Sequence, residues 1–293
     1  MRQVVGRLHA GVDRAAEEAP VAPPDDPNPA HTVRVGSMLY TLVDPDPGHE
    51  VAYNRWYERD HFYGGCMTGP WCFAGSRWVA TRELKDLRFP TVGNSVNDPV
   101  DRGSYLAVYW VEDGHHDDHF AWGADQVVRL YRAGRGFQER RHAHTVLYMH
   151  RSNRYRDADP VPADVALDHH YAALATVVVE PGEGTSADDL AAWVDAEGLP
   201  GVFADGPVAL CAQWTAVPRD EMTKNAPMDL GSAPIGPDAT MQLFFLEEDP
   251  RTCWDRFVDY AVRLEASGLG RVTSAAPFFR TVVGTDRYAD ELW

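Results

Sequence analysis

No apolar run in the chain approaches the roughly 18 residues of a membrane-crossing helix, and the first twenty residues, MRQVVGRLHAGVDRAAEEAP, lack the apolar centre of a secretory signal. Membrane insertion and secretion are not expected, which makes the cytoplasm the expected location. Cysteine is scarce, and Cys66, Cys72, Cys211 and Cys253 stand apart without any CxxC spacing. Neither a zinc site nor a disulfide framework is signalled. Basic residues are outnumbered, 27 Lys and Arg against 44 Asp and Glu, for a formal net charge of −17. Nucleic acids and anionic membranes both require phosphate neutralisation and are disfavoured as partners. P-loop, GxGxxG, GxSxG and HExxH patterns are all missing, so nucleotide, serine-hydrolase and zincin chemistry lack support. What remains is a neutral or weakly charged small molecule as partner, with no cofactor or metal expected.

The composition, 44% hydrophobic over 293 residues, supplies enough apolar surface for two ordinary domains. Met1 to about Ala19 reads as a short helix, and VAPPDDPNPAH after it combines prolines and acids that stop helices. Residues 1–31 are therefore expected to be an N-terminal extension and linker. The rest repeats. Val128-Arg129-Leu130 with Gly134 returns as Val262-Arg263-Leu264 with Gly268, an offset of 134. Trp56 and Trp193, Trp78 and Trp214, and Arg154-Tyr155 and Arg287-Tyr288 recur in the same order at offsets of 137, 136 and 133. Such a slow drift means small loop changes within a duplication.

Periodicity inside each copy agrees. Val33–Val43 and Tyr171–Val179 read as first strands; Tyr53, Trp56, Tyr57 and Asp60, and then Leu190, Trp193 and Val194, fall on helical faces. Thr185-Ser186 before Asp188-Asp189 is good N-cap chemistry. Second strands are expected at Cys72–Thr81 and Val208–Ala216, third strands at Tyr105–Val111 and Met241–Leu246, and fourth strands at Thr145–Arg151 and Phe278–Val283. Amphipathic helices around Phe120–Arg132 and Trp254–Ala266 precede the fourth strands and close on Gly134 and Gly268. The predicted fold class is α+β: two ferredoxin-like βαββαβ repeats, residues 32–160 and 161–293, packed sheet to sheet as an intramolecular dimeric α+β barrel. Each repeat would cover the other's open sheet face, giving a monomer by pseudo-dimer fusion or a weak homo-oligomer.

The segment Tyr53-Asn54-Arg55-Trp56-Tyr57-Glu58-Arg59-Asp60-His61-Phe62-Tyr63 resembles the first helix of dimeric α+β barrel proteins, especially the EthD-like group. That resemblance implies a cavity between sheet and helices, with the histidine working in proton transfer. The group's proline two residues after the histidine is Tyr63 here. The second copy has Gly198-Leu199-Pro200 at the matching place, keeping the proline and losing the histidine. The first copy is therefore the expected active one and the second mainly structural.

Within that reading His61 is the candidate general acid/base, since imidazole titrates near neutral pH. Tyr57 would polarise a developing enolate and Asp60 orient the ring. Tyr53, Trp56, Arg77, His144, Tyr148 and His150 are candidate substrate contacts. His144, Tyr148 and His150 share one strand face, which is either the cavity side or the side between copies. Core packing competes for Tyr53, Tyr57 and Trp56, a surface position for Arg77, and simple helix capping for His61. His115, His116 and His119 form the densest histidine group, but they follow Glu112-Asp113-Gly114 at a helix start. Cap and dipole chemistry is the expected role there, ahead of a metal or a haem ligand. The leading expectation is a cofactor-independent proton-transfer enzyme, of cyclase, isomerase or dehydratase type, on a small apolar or aromatic carbonyl compound. The alternatives are a non-catalytic ligand-binding protein of the same fold and a cofactor-free or haem-dependent oxygenase.

Overall fold

In the computed structural model, residues 33–219 and 226–293 are described; the N-terminal extension lies outside them. Eight strands alternate with helices: β1 (Val35–Pro45), α1 (Glu50–Trp56), β2 (Cys72–Val79), α2 (Arg82–Lys85), β3 (Tyr105–Glu112), α3 (His116–Arg132) and β4 (Arg140–Tyr155). The second half follows with β5 (Ala173–Pro181), α4 (Ala187–Trp193), α5 (Leu199–Phe203), β6 (Val208–Ala216), β7 (Thr240–Leu246), α6 (Trp254–Ser267) and β8 (Gly270–Arg280).

All pairings are antiparallel, and the strands close into one barrel in the order β1-β3-β2-β8-β5-β7-β6-β4. Read by halves, that is β4-β1-β3-β2 and β8-β5-β7-β6: the same ferredoxin-like order twice, joined where β4 meets β6 and β2 meets β8. The fold is the dimeric α+β barrel within one chain. Side chains alternate along each strand. Met38, Tyr40 and Leu42 of β1 enter the barrel core with Trp78, Trp110 and Trp214, while Leu39, Thr41 and Val43 face the helices. The helices of the second half pack on their sheet through Leu190, Phe257, Tyr260 and Leu264.

Two elements exceed their expected spans. The fourth strands run over Arg140–Tyr155 and Gly270–Arg280, not Thr145–Arg151 and Phe278–Val283. In β4, Arg140, Arg141, His142 and Asn153 interrupt the apolar pattern, yet Arg140 to Met149 pair with β1 and Tyr148 to Tyr155 with β6. Backbone pairing on two sides overrides local polarity. The long connection after α2 packs on the second half: Phe89 and Ala275 exchange backbone hydrogen bonds, and Ser95 N donates to Thr273 O. Buried Arg88 holds it, donating to the carbonyls of Arg102 and Gly103 at 2.7 Å.

Because barrel closure pairs every strand on both edges within one chain, we expect a monomer in solution. Light scattering should return a mass near 32.6 kDa; a value near twice that would contradict this expectation.

Candidate functional site

After α1 the chain does not continue as an α-helix. Tyr57–Met67 is a π-helix, a geometry that widens the turn and concentrates at functional sites. The same change recurs at Val194–Gly198 in the second half. With bonds reaching five residues back, His61 stacks on Trp56, with ring centroids 4.3 Å apart and planes at 17°. Against Tyr57, its expected partner one α-turn away, it makes only an edge contact. The imidazole also lies against Gly65, where a Cβ would come within 2.7 Å of the ring. The bare glycine backbone thus sets the ring's place.

His61 borders a cavity of about 700 Å³ between the outer face of β1 and β4, the π-helix and α3, well within the range of small-molecule sites. Leu39, Val43, Val128, Leu147 and Met149 give it apolar walls; Tyr53, Tyr57, Thr145, Arg140 and His142 supply polar groups. The second half completes it. Val217 N donates to Leu147 O, Thr145 N to Leu230 O and Ser232 N to Ala143 O, so Val217–Arg219 and Ala226–Leu230 sit on the outer edge of β4 and contribute lining.

The cavity's origin can be traced to single residues. At the offset of the Val-Arg-Leu repeat, Phe257 of α6 corresponds to Gly123 of α3. Phe257 is fully buried against Phe244; Gly123 lines the cavity, and nothing lies within 4 Å of the place its Cβ would take. Gly198, matching His61, has Tyr260 and Trp193 where its own side chain would be. One half is filled by aromatic rings where the other is hollow.

Burial dominates the electrostatics. Desolvation, with Arg140 and His142 adding to it, pulls the His61 pKa down to about 3, and His61 Nδ1 is buried without a hydrogen-bond partner. The ring is neutral at physiological pH. Tyr57, 2.8 Å from the Tyr109 hydroxyl, has its pKa raised by burial and keeps its proton. Tyr53 is buried and lines the cavity beside it.

Several expected roles change. Asp60 does not orient the imidazole: it binds Arg135 in an ion pair, with Arg135 Nε donating at 3.0 Å, and that guanidinium lowers its pKa. Arg77 is not a surface residue or a ligand contact. It is buried, donates to Asn54 at 2.8 Å and lies 4.4 Å from the Tyr57 ring centroid, bracing the aromatic wall from behind. Trp56 supports His61 without lining the cavity. His144 and Tyr148 bond each other at 2.8 Å beside Tyr40 in the barrel core, and His150 packs on Trp214; all three are on the side between halves. A bulge at Leu42/Val43 instead sends His142 outward to the cavity. His115 stacks on Trp71, His119 donates through Nδ1 to Pro70 O at 2.8 Å, and no metal-holding cluster occurs among the described residues.

No protein-family model matches the sequence, and no curated protein matches it. Solved structures do. The chain is similar to an anthrone oxidase-like protein (10% identity over 86% of this chain and 95% of that one, TM-score 0.43). It is also similar to a chlorite dismutase variant from Candidatus Nitrospira defluvii (9%, 88% and 96%, 0.46). A DypB variant from Rhodococcus jostii RHA1 in complex with haem is a third (11%, 90% and 96%, 0.46). At such identities the likeness is one of fold.

Two outcomes follow. His61, His142 and His144 each titrate near 3 in the folded chain against about 6.5 when unfolded. Between these values the unfolded chain binds more protons, so stability falls as pH falls. Thermal melting followed from pH 7 to 5.5, above most carboxylate titration, should show a falling Tm; a flat profile would contradict the assignment. For the cavity, Gly123→Ala should stabilise by about 0.5–1 kcal/mol by removing a mid-helix glycine. Gly123→Phe should keep the fold and exclude aromatic probes, as read by circular dichroism and tryptophan quenching; unchanged probe uptake would show that the space lies elsewhere.

Proposed function

We propose that this chain is an enzyme acting on an enolisable or phenolic aromatic compound held in the cavity, with His61 as its proton acceptor. One observation carries the reading: a neutral imidazole, stacked on Trp56 and close against Gly65, stands at the wall of an apolar cavity with Nδ1 unpartnered. A ring with so low a pKa is a weak base toward water. It becomes an effective one when the proton it takes leaves an anion beside it, because the ion pair offsets the desolvation that held the ring neutral. Tyr57, which retains its proton, would donate to the developing oxyanion, a donor already in place in a poorly solvated site.

Which reaction follows depends on how many proton carriers there are. A cyclase or dehydratase needs an acid as well as a base, and Asp60, expected to assist, is engaged by Arg135. A single base suffices for cofactor-free oxygenation. His61 takes a proton from a CH₂ flanked by aromatic or carbonyl groups, the carbanion passes an electron to O₂, and the radicals join as a hydroperoxide anion that His61 reprotonates. Loss of water then leaves a carbonyl, so R₂CH₂ and O₂ give R₂C=O and H₂O. This is the reading we favour; one-base isomerisation, in which the same proton returns at another carbon, is the second.

Neither His61 nor His119 fits as a haem ligand. A ligating imidazole normally has its other ring N–H tied to an acceptor, and His61 lacks such a tie. His119 has one but is 2% exposed, with its ring against Phe120 and Trp122.

With anthrone as substrate, we expect O₂ uptake in step with substrate loss. His61→Ala should slow it by about 100-fold or more, the usual share of a general base, with unchanged circular dichroism. Migration of a deuterium label from one carbon of a carbonyl substrate to another without O₂ uptake would favour the isomerase reading. A bound but unreacted panel of substrates would leave a ligand-binding protein.

A further inference from the structure

A smaller cavity of about 170 Å³ adjoins the main one, and Arg140, His142 and Met228 border both. In a chain of net charge −17, this annex is lined by three arginines, Arg102, Arg140 and Arg141, of which Arg141 is mostly exposed and paired with Asp46. Arg140 stands between the two spaces. Its guanidinium carbon lies 4.4 Å from the Trp56 ring centroid; Nη2 donates to the Tyr131 hydroxyl at 3.0 Å and Nε to His142 Nε2 at 3.3 Å. Nη1 is buried with no hydrogen-bond partner. Accepting at Nε2 leaves His142 its proton on Nδ1, which lies 2.7 Å from the Thr145 hydroxyl. The imidazole is thus neutral and brings no charge of its own.

The site is built, not incidental. The Arg102 carbonyl accepts from Arg88 and from Asn97, each at 2.7 Å, which fixes the backbone that carries its guanidinium. Two carboxylates are close: Asp46, 3.2 Å from Arg141, and Asp229, which lines the annex. Three cations less two anions leave one positive charge uncompensated, with an idle N–H on Arg140 at the boundary of the apolar space.

We propose that the annex binds the carboxylate of an amphipathic ligand whose aromatic body fills the main cavity. One unbalanced charge suits a monoanion better than a phosphate dianion, and a guanidinium fork matches the planar carboxylate. The proposal rests on the cavity being a ligand site, and it narrows the substrate class to aromatic or polycyclic carboxylic acids. It also bears on His61, whose neutral state Arg140 helps to enforce: a carboxylate on Arg140 screens that charge and makes proton uptake easier.

The test uses matched probes with the full chain: 2-naphthoate, 2-naphthamide and 2-naphthyl phosphate, titrated by isothermal calorimetry and tryptophan quenching at two salt concentrations. Naphthoate should bind about tenfold or more tightly than the amide, the usual scale of a hydrogen bond to a charged group. Arg102→Gln should remove most of that difference while leaving amide binding unchanged, and Arg140→Gln should weaken naphthoate binding more than amide binding. If Arg140→Gln does not fold, Arg102→Gln and the salt dependence carry the test. Equal binding of naphthoate and amide overturns the proposal and leaves the cavity reading standing. Tighter binding of the phosphate overturns the choice of a monoanion. No binding of any probe overturns both readings, and Gly123→Phe, which closes the main cavity, should abolish all three where binding occurs.

Discussion

The double pairing of β4 is the constraint on which the rest of the structure depends. This one strand, Arg140–Tyr155, bonds β1 along one edge and β6 along the other. Its first pairing completes the sheet of one half, and its second closes the barrel. Closure hides the aromatic face of each sheet, which no isolated four-stranded sheet with helices on one side could keep dry. It also sets the β6–β7 connection against β4, so that Val217, Arg219 and Leu230 border a cavity whose base lies in the other half. Architecture and site share the same hydrogen bonds.

Much of this was legible in the residues. The recurring Val-Arg-Leu and tryptophan landmarks fall at like places in the two βαββαβ units, whereas Arg154-Tyr155 ends β4 and Arg287-Tyr288 lies beyond β8; Gly134 and Gly268 do adopt the left-handed conformation expected where helices end. His61 was found through a helical motif and lines the cavity. Its surroundings were not legible, because an α-helical period places it over Tyr57, whereas π geometry places it over Trp56. Asp60 and Arg77 were misread for a related reason: their partners, Arg135, Asn54 and Glu58, are set by that same change of phase and by tertiary packing. The parity of β4 was undecidable because one bulge near His142 separates it from His144 in direction. Arg140 and the annex were missed for lack of any motif; an arginine at the start of a polar strand reads as a surface residue until the connection holding Arg102 is brought beside it.

The asymmetry between halves follows from a few side chains. Phe257 and Tyr260 fill the space between helix and sheet in the second half; Gly123 leaves it open in the first, beside the imidazole that has no counterpart in the second. A glycine inside an amphipathic helix lowers helix stability, and local departures of this kind concentrate where function opposes packing. The unmatched glycine in α3 was visible in the sequence as a break in an otherwise regular helical pattern, and reading it against Phe257 would have pointed to the hollow directly.

The alternation along β1 has a consequence for how such a chain can diversify. Met38, Tyr40 and Leu42 belong to the barrel, Leu39, Thr41 and Val43 to the cavity, so neighbouring codons answer to different selective demands. Drift at the second set can reshape ligand preference while the first set holds the scaffold, which separates innovation from foldability at a spacing of one residue.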